Sequence, residues 1–242
     1  MEALRNPILI TMIPTDLKSY MYLLEFTDSA FPVGSFSFSN GLETAVFEKI
    51  VYNAETLEEY TRTALQQIIH CDAIAALQAF RASANQDYER IRYADQQIML
   101  CKMNTENRLM LTRMGKKMAE ICIQLHATPI LKQWLKDIQE QKTAGTYPIT
   151  QAIWFQENGV SEPLLFAAIE YGTINLILNA ALRCVKVSHY ETQSILYRLC
   201  SEAPSHYEQI RTWNFEDMQT FAPEMDIIAS LHEKGKMRMF MN

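Results

Sequence analysis

The feature that most constrains this chain is a helical period that runs almost unbroken from residue 20 to residue 236. Apolar residues recur three and four positions apart through most of it. A Val/Ile-rich alternation long enough for a strand is missing. Glycine is scarce at 7 of 242 residues, roughly half the usual share, so the sequence supports few tight turns. The spacing predicts helices over 20–26, 41–49, 57–84, 88–101, 105–126, 129–142, 149–155, 164–185 and 224–236, with two more opening at residues 188 and 205. Asn40 with Glu43, Thr56 with Glu59, Ser188 with Glu191 and Ser205 with Glu208 all read as capping boxes. Thr128-Pro129 is a cap followed by proline at the first helical position, and Ser161 caps the helix at 164–185. The expected architecture is all-α: one single-domain helical bundle of about ten helices around a central buried helix, spanning 1–242. The N-terminus (1–15) and the C-terminal tail (235–242) are expected to be flexible.

The buried-helix expectation rests on residues 164–185, the most apolar long stretch. Glu170, Asn175 and Asn179 recur along it, and a lipid-spanning helix rarely carries such residues. The first 14 residues include Pro7 and Pro14 and lack the apolar core of a signal peptide. The formal charge is −6, and the one short basic stretch, Arg113 to Lys117, is interrupted by Met114 and Gly115. Such a chain lacks the concentrated basic face of a nucleic-acid binder. Its five cysteines are dispersed and form no CxxC, which fits buried free thiols in a reducing compartment and a cytoplasmic location.

The sequence offers little for catalysis. GxxxxGK[ST], GxSxG and HExxH have no match, and neither do the paired Glu-x-x-His motifs of di-metal bundles. Cys122 and His126 share a helix face, but that face also carries Met118, Ile121 and Leu125, so core packing is the stronger reading. His232-Glu233 reads as a helical surface pair. No catalytic residue, metal ligand or cofactor is assigned. The expectation is a helical protein, not an enzyme, that works by binding other proteins, without membrane or nucleic-acid partners.

The most distinctive segment is Phe31-Pro32-Val33-Gly34-Ser35-Phe36-Ser37-Phe38-Ser39-Asn40-Gly41-Leu42-Glu43. Pro32 fixes φ and Gly34 permits a left-handed turn. Three phenylalanines alternate with small residues. Either the rings all plug the loop into the core, or unequal burial leaves one exposed and makes a contact patch.

These residues carry a resemblance. Asp28, Pro32, Val33, Gly34, Ser35, Phe36, Gly41, Leu42 and Glu43 follow in order the N-terminal signature of the urease accessory protein UreF family. A second block, Glu106-Asn107-Arg108 with Gly115, is similar to that family's Glu-x-Arg helix and later glycine. A third runs from Asp226 through His232-Glu233 to Arg238-Met239-Phe240. The chain departs from the family pattern after Arg183, where Cys184-Val185-Lys186-Val187-Ser188-His189 replaces a Pro- and Gly-containing stretch. It departs again at Thr146-Tyr147, where a histidine is common. The resemblance implies an all-α protein, often dimeric, that bridges UreD (UreH) and the GTPase UreG. It also implies support for GTP-dependent nickel insertion into apo-urease, any GTP chemistry lying on the partner. By that resemblance Phe36, His232, Glu233, Arg238 and Phe240 are partner-binding. Pro32, Gly34, Ser35, Gly41, Glu43, Glu106, Arg108, Gly115 and Arg183 are motif residues. The rival reading is a helical scaffold unrelated to nickel.

Overall fold

The computed structural model describes residues 17–232 and 239–240. These form α1 (Leu17–Thr27), α2 (Leu42–Phe47), α3 (Ala54–Ile68), α4 (Ile74–Ala84), α5 (Tyr88–Cys101), α6 (Thr105–Leu125), α7 (Pro129–Gln139), α8 (Tyr147–Glu157), α9 (Glu162–Cys184), α10 (His189–Ile210) and α11 (Pro223–His232). A five-residue π-turn, Ile69–Ala73, fuses α3 and α4 into one rod. Two 3₁₀ turns, Ser35–Ser37 and Phe215–Asp217, complete the list of regular elements, and no strand occurs among the described residues. The all-α expectation holds. The expectation for residues 1–15 lies outside the described residues.

Several helix starts differ from the sequence reading. Asn40 does not cap α2: both Asn40 (φ 55°) and Gly41 (φ 79°) are left-handed, so the chain turns one residue later and the helix opens at Leu42. Asn53, not Thr56, caps α3. Its carboxamide oxygen accepts from the Thr56 amide at 2.9 Å, while Thr56 Oγ1 accepts the Asn53 amide in return. Thr56 therefore completes a capping box that it was expected to begin. Ser205 with Glu208 caps nothing, because α10 runs through both and through Pro204. The proline is exposed, and tertiary ties hold the helix across it. His206 Nδ1 meets Glu170 Oε1 at 2.6 Å, and Tyr207 Oη donates to Glu162 Oε1 at 3.0 Å. Ser188 with Glu191 forms the expected box.

The core is one contiguous cluster running from Phe26 to Phe240. The rod end α4, with Ala75, Ala76, Leu77 and Ala79 buried, packs against α8, where every residue from Pro148 to Phe155 is buried. Alanines on α4 let the two axes approach closely, which is what allows both helices to be buried almost all round. The long helix α9 shares this centre. It is apolar and long enough to cross a membrane by composition. However, its mid-helix Glu170 is 2% exposed and sits against His206 of α10. That placement belongs to a core helix of a bundle.

One turn is fixed with particular force. Asp95, fully buried on α5, accepts from Thr143 Oγ1 (2.6 Å), Gly145 N (2.9 Å), Thr146 N (2.8 Å) and Thr146 Oγ1 (2.6 Å). Gly115 of α6 presses on the same turn. A Cβ there would lie 2.0 Å from the Gly145 carbonyl oxygen.

Candidate partner-binding site

The loop between α1 and α2 buries two of its three phenylalanines. Phe31 stacks on Phe26 with centroids 4.5 Å apart, and Phe38 is 4% exposed. The third, Phe36, stands 67% exposed on the 3₁₀ turn. Gly34, left-handed at φ 83°, sets up that turn, with Ser35 as its first residue and Pro32 exposed ahead of it. Gly41 is left-handed as well. A Cβ there would come within 3.0 Å of Tyr60 Oη and 3.4 Å of Ala229 Cβ, so α3 and α11 close on it.

Arg183, near the end of α9, organises this surface. Its guanidinium lies 4.0 Å over the Phe36 ring and 4.0 Å over the Phe240 ring, and Nη2 donates to the Phe36 carbonyl at 3.0 Å. A guanidinium between two rings gains from both quadrupoles. Burial lowers the Arg183 pKa from its ordinary value, and the neighbouring Glu43 charge works in the opposite direction. Glu43 closes the arrangement. Oε1 accepts the Met239 amide at 2.8 Å, and Oε2 accepts the Phe240 amide at 3.1 Å. One carboxylate thus receives two consecutive backbone donors, a charge-assisted clamp. At residues 239–240 the tail is hydrogen-bonded to this chain's own Glu43. Phe240, 4% exposed, turns toward this chain's own Arg183. A cavity of about 130 Å³ lies under the loop, lined in part by Phe26, Phe36, Gln151, Asn175 and Arg183. It is smaller than the ~300–1,000 Å³ of small-molecule pockets.

The other motif residues stand behind this surface. Arg108 Nε donates to the Lys102 carbonyl at 2.6 Å, and the Lys102 ammonium pairs with Asp72 inside the protein. Asn104 caps α6 and reaches Ser230 at 3.1 Å, while Asn107 reaches Asp226 at 3.5 Å. Glu106 is buried on the same first turn. The α6 start therefore positions α11, and α11 leads to the clamped tail. The first and third sequence blocks meet at Glu43, and the second supports them.

The side chain of His232 and all of Glu233 and Arg238 lie outside the described residues. Cys122 is buried while His126 is exposed and edge-on to Trp154, so the two do not converge. Among the described residues no group of three His, Cys, Asp or Glu could hold a metal. The buried Asp72–Lys102 pair was missed from sequence, because its members are 30 residues apart and neither belongs to a motif.

The described residues thus form a helical bundle with an aromatic–arginine surface beside residues 239–240. A family model described as UreF matches residues 51–200. The chain is 41% identical over 226 residues to urease accessory protein UreF 2 of Brucella abortus, covering 93% of each chain. It is 41% identical to urease accessory protein UreF 1 of Brucella melitensis over 93% of this chain and 94% of that one. It is 37% identical over 220 residues to urease accessory protein UreF of Yersinia pseudotuberculosis, covering 91% and 96%. The chain belongs to the UreF family of urease accessory proteins.

Proposed function

We propose that this protein is a cytoplasmic, non-catalytic bridge between the UreD (UreH) and UreG homologues of its host. Through them it supports GTP-dependent nickel insertion into apo-urease. Family membership supports the urease setting. The observation that carries the bridging role is the exposed Phe36 ring stacked on Arg183 beside the clamped tail. Aromatic rings and arginines of this kind are enriched at binding hot spots. The nickel is cargo of the assembly.

Phe36→Ala is expected to lower affinity for the partner assembly by about 2 kcal/mol, roughly thirtyfold. The melting temperature should hardly move, because the lost surface is already exposed and an exposed cation–π contact contributes only ~0.5–1 kcal/mol. Co-purification with UreD and UreG homologues, alongside thermal melting, separates the two effects. Parallel losses of binding and folding would make Phe36 plain packing. Arg238→Ala and a chain ending at Gly235 belong in the same experiment, and normal partner binding by both removes the tail from the interface.

Self-association is the second part of the proposal. Leu17, Tyr20, Met21 and Leu24 are 73%, 42%, 57% and 63% exposed and follow the i, i+3, i+4, i+7 spacing of one helix stripe on α1. An apolar stripe left exposed by the described residues fits a second copy of this chain. Leu24→Arg is expected to convert the dimer to monomer in sedimentation while leaving the helical signal intact. A wild type that sediments as a monomer at all concentrations rejects this.

A further inference from the structure

Cys71 sits in the π-turn and is fully buried. Cys101 is the last residue of α5 and is partly exposed, flanked by the well-exposed Leu100 and Met103. Each thiol perturbs the other, Cys71 upward and Cys101 downward. The register on both sides fixes this meeting. The next residue of each strand of chain, Asp72 and Lys102, forms the buried ion pair. The residue before Cys71, His70, accepts the Gln219 amide at 3.1 Å, and the Cys101 carbonyl accepts from Thr220 Oγ1 at 3.2 Å. Neither cysteine belongs to the partner-binding surface.

We propose that Cys71 and Cys101 form a peroxide-responsive dithiol that closes to an intramolecular disulfide. Cys101 is the attacking sulfur. Cys71 lowers its pKa to about 7, against the effect of burial and with help from the Lys102 charge. The remaining thiols are held protonated: burial raises Cys122, raises Cys184 to about 11, and raises Cys200. Thiolate character and access select the site of oxidation. The Cys101 thiolate attacks one peroxide oxygen and the O–O bond breaks. Hydroxide leaves, takes up a proton and becomes water, and Cys101 is left as a sulfenic acid. The Cys71 sulfur then attacks the Cys101 sulfur and the S–O bond breaks. The departing hydroxide carries off the Cys71 proton as a second water. Two thiols lose two electrons and one peroxide is reduced to two waters. In a reducing compartment the bridge is reversible by thiol exchange, so it marks oxidative episodes rather than a permanent cross-link.

The test treats the full-length protein with hydrogen peroxide, quenches it, denatures it and counts free thiols with maleimide under mass spectrometry. The expected result is loss of two hydrogens and of two reactive thiols, a cross-linked Cys71–Cys101 peptide, and full reversal by dithiothreitol. Cys71→Ser should instead stop at a sulfenic acid on Cys101 that dimedone captures, and Cys101→Ser should leave all four remaining thiols free. Far-UV circular dichroism verifies that both variants fold, and the wild-type peptide map decides the matter on its own if either does not. Five titratable thiols after peroxide, or a bridge that engages Cys122, Cys184 or Cys200, overturns the proposal. So does equal dimedone capture in wild type and Cys71→Ser.

Discussion

Lys102→Met is expected to lower the melting temperature by on the order of 10 °C, the largest loss of any single change here. Asp72 is fully buried, and its Oδ1 has no hydrogen-bond partner among the described residues. Its charge is therefore answered mainly through Oδ2, by the Lys102 ammonium, which is itself 5% exposed. Removing one member of a buried pair leaves the other uncompensated, at about 3–5 kcal/mol, and a domain of this size shifts by ~2–4 °C per kcal/mol. Burial opposes the charged form of Lys102, but Asp72, with Cys71 and Asp226, outweighs it and raises the pKa above the ordinary lysine value. A raised lysine contributes stability that is fully present below its unfolded pKa and is lost only as pH climbs through the folded one. The deficit of Lys102→Met should therefore be flat through the neutral range. Replacing both members, Asp72→Leu with Lys102→Met, should recover most of the loss, since an apolar pair has no charge to leave stranded. Calorimetry of the wild type and the two variants decides this. A double variant no more stable than the single would show that the charges were not the cause.

Gly115→Ala should be the next most damaging change, at about 1–3 kcal/mol or somewhat more. The new methyl group would meet the Gly145 carbonyl oxygen at 2.0 Å and the Thr146 carbonyl carbon at 2.6 Å. Those are backbone atoms, and the turn cannot retreat while Asp95 holds it through four hydrogen bonds. Something must yield: either α6 shifts away from the turn or the Asp95 bonds break. Hydrogen exchange at Gly145 and Thr146 reports the second directly. Gly172→Ala on α9 is the matched control. Its Cβ would meet nothing within 4 Å, and alanine gains ~1 kcal/mol of helix propensity over glycine. If the two substitutions behaved alike, close approach would not be the reason for glycine at 115.

What was legible in the sequence was local or periodic. Ser188 and Glu191 lie three residues apart and cap each other with no outside help. Ser205 and Glu208 have the same spelling, yet they sit inside a helix because Glu162 and Glu170, far away in sequence, tie α10 down. Thr56 was read as the cap of α3, and only the return bond from the Asn53 amide shows that Asn53 comes first. The loop's unequal ring burial could be posed as a condition from its alternation, but which ring stays outside depends on where α9 ends. Glu43 was read as a helix-start residue. Its carboxylate instead faces the chain's far end, 196 residues on, a distance that no local pattern encodes. The cysteine pair and the Asp72–Lys102 pair were invisible for the same reason.

The π-turn between α3 and α4 acts as a phase shifter. A helix advances ~100° per residue, so one surplus residue in the ladder re-aims everything downstream by that angle. Up to Ile68 the rod packs mainly on α9, and beyond Ala73 mainly on α8 and α5. The sequence can remain helical throughout and still serve two walls of the bundle. Conversely, deleting the surplus residue within 69–73 would let this stretch close into ordinary α-helix, because a π-turn is the wider turn that takes up one extra residue. For this segment chain length is itself part of the specification.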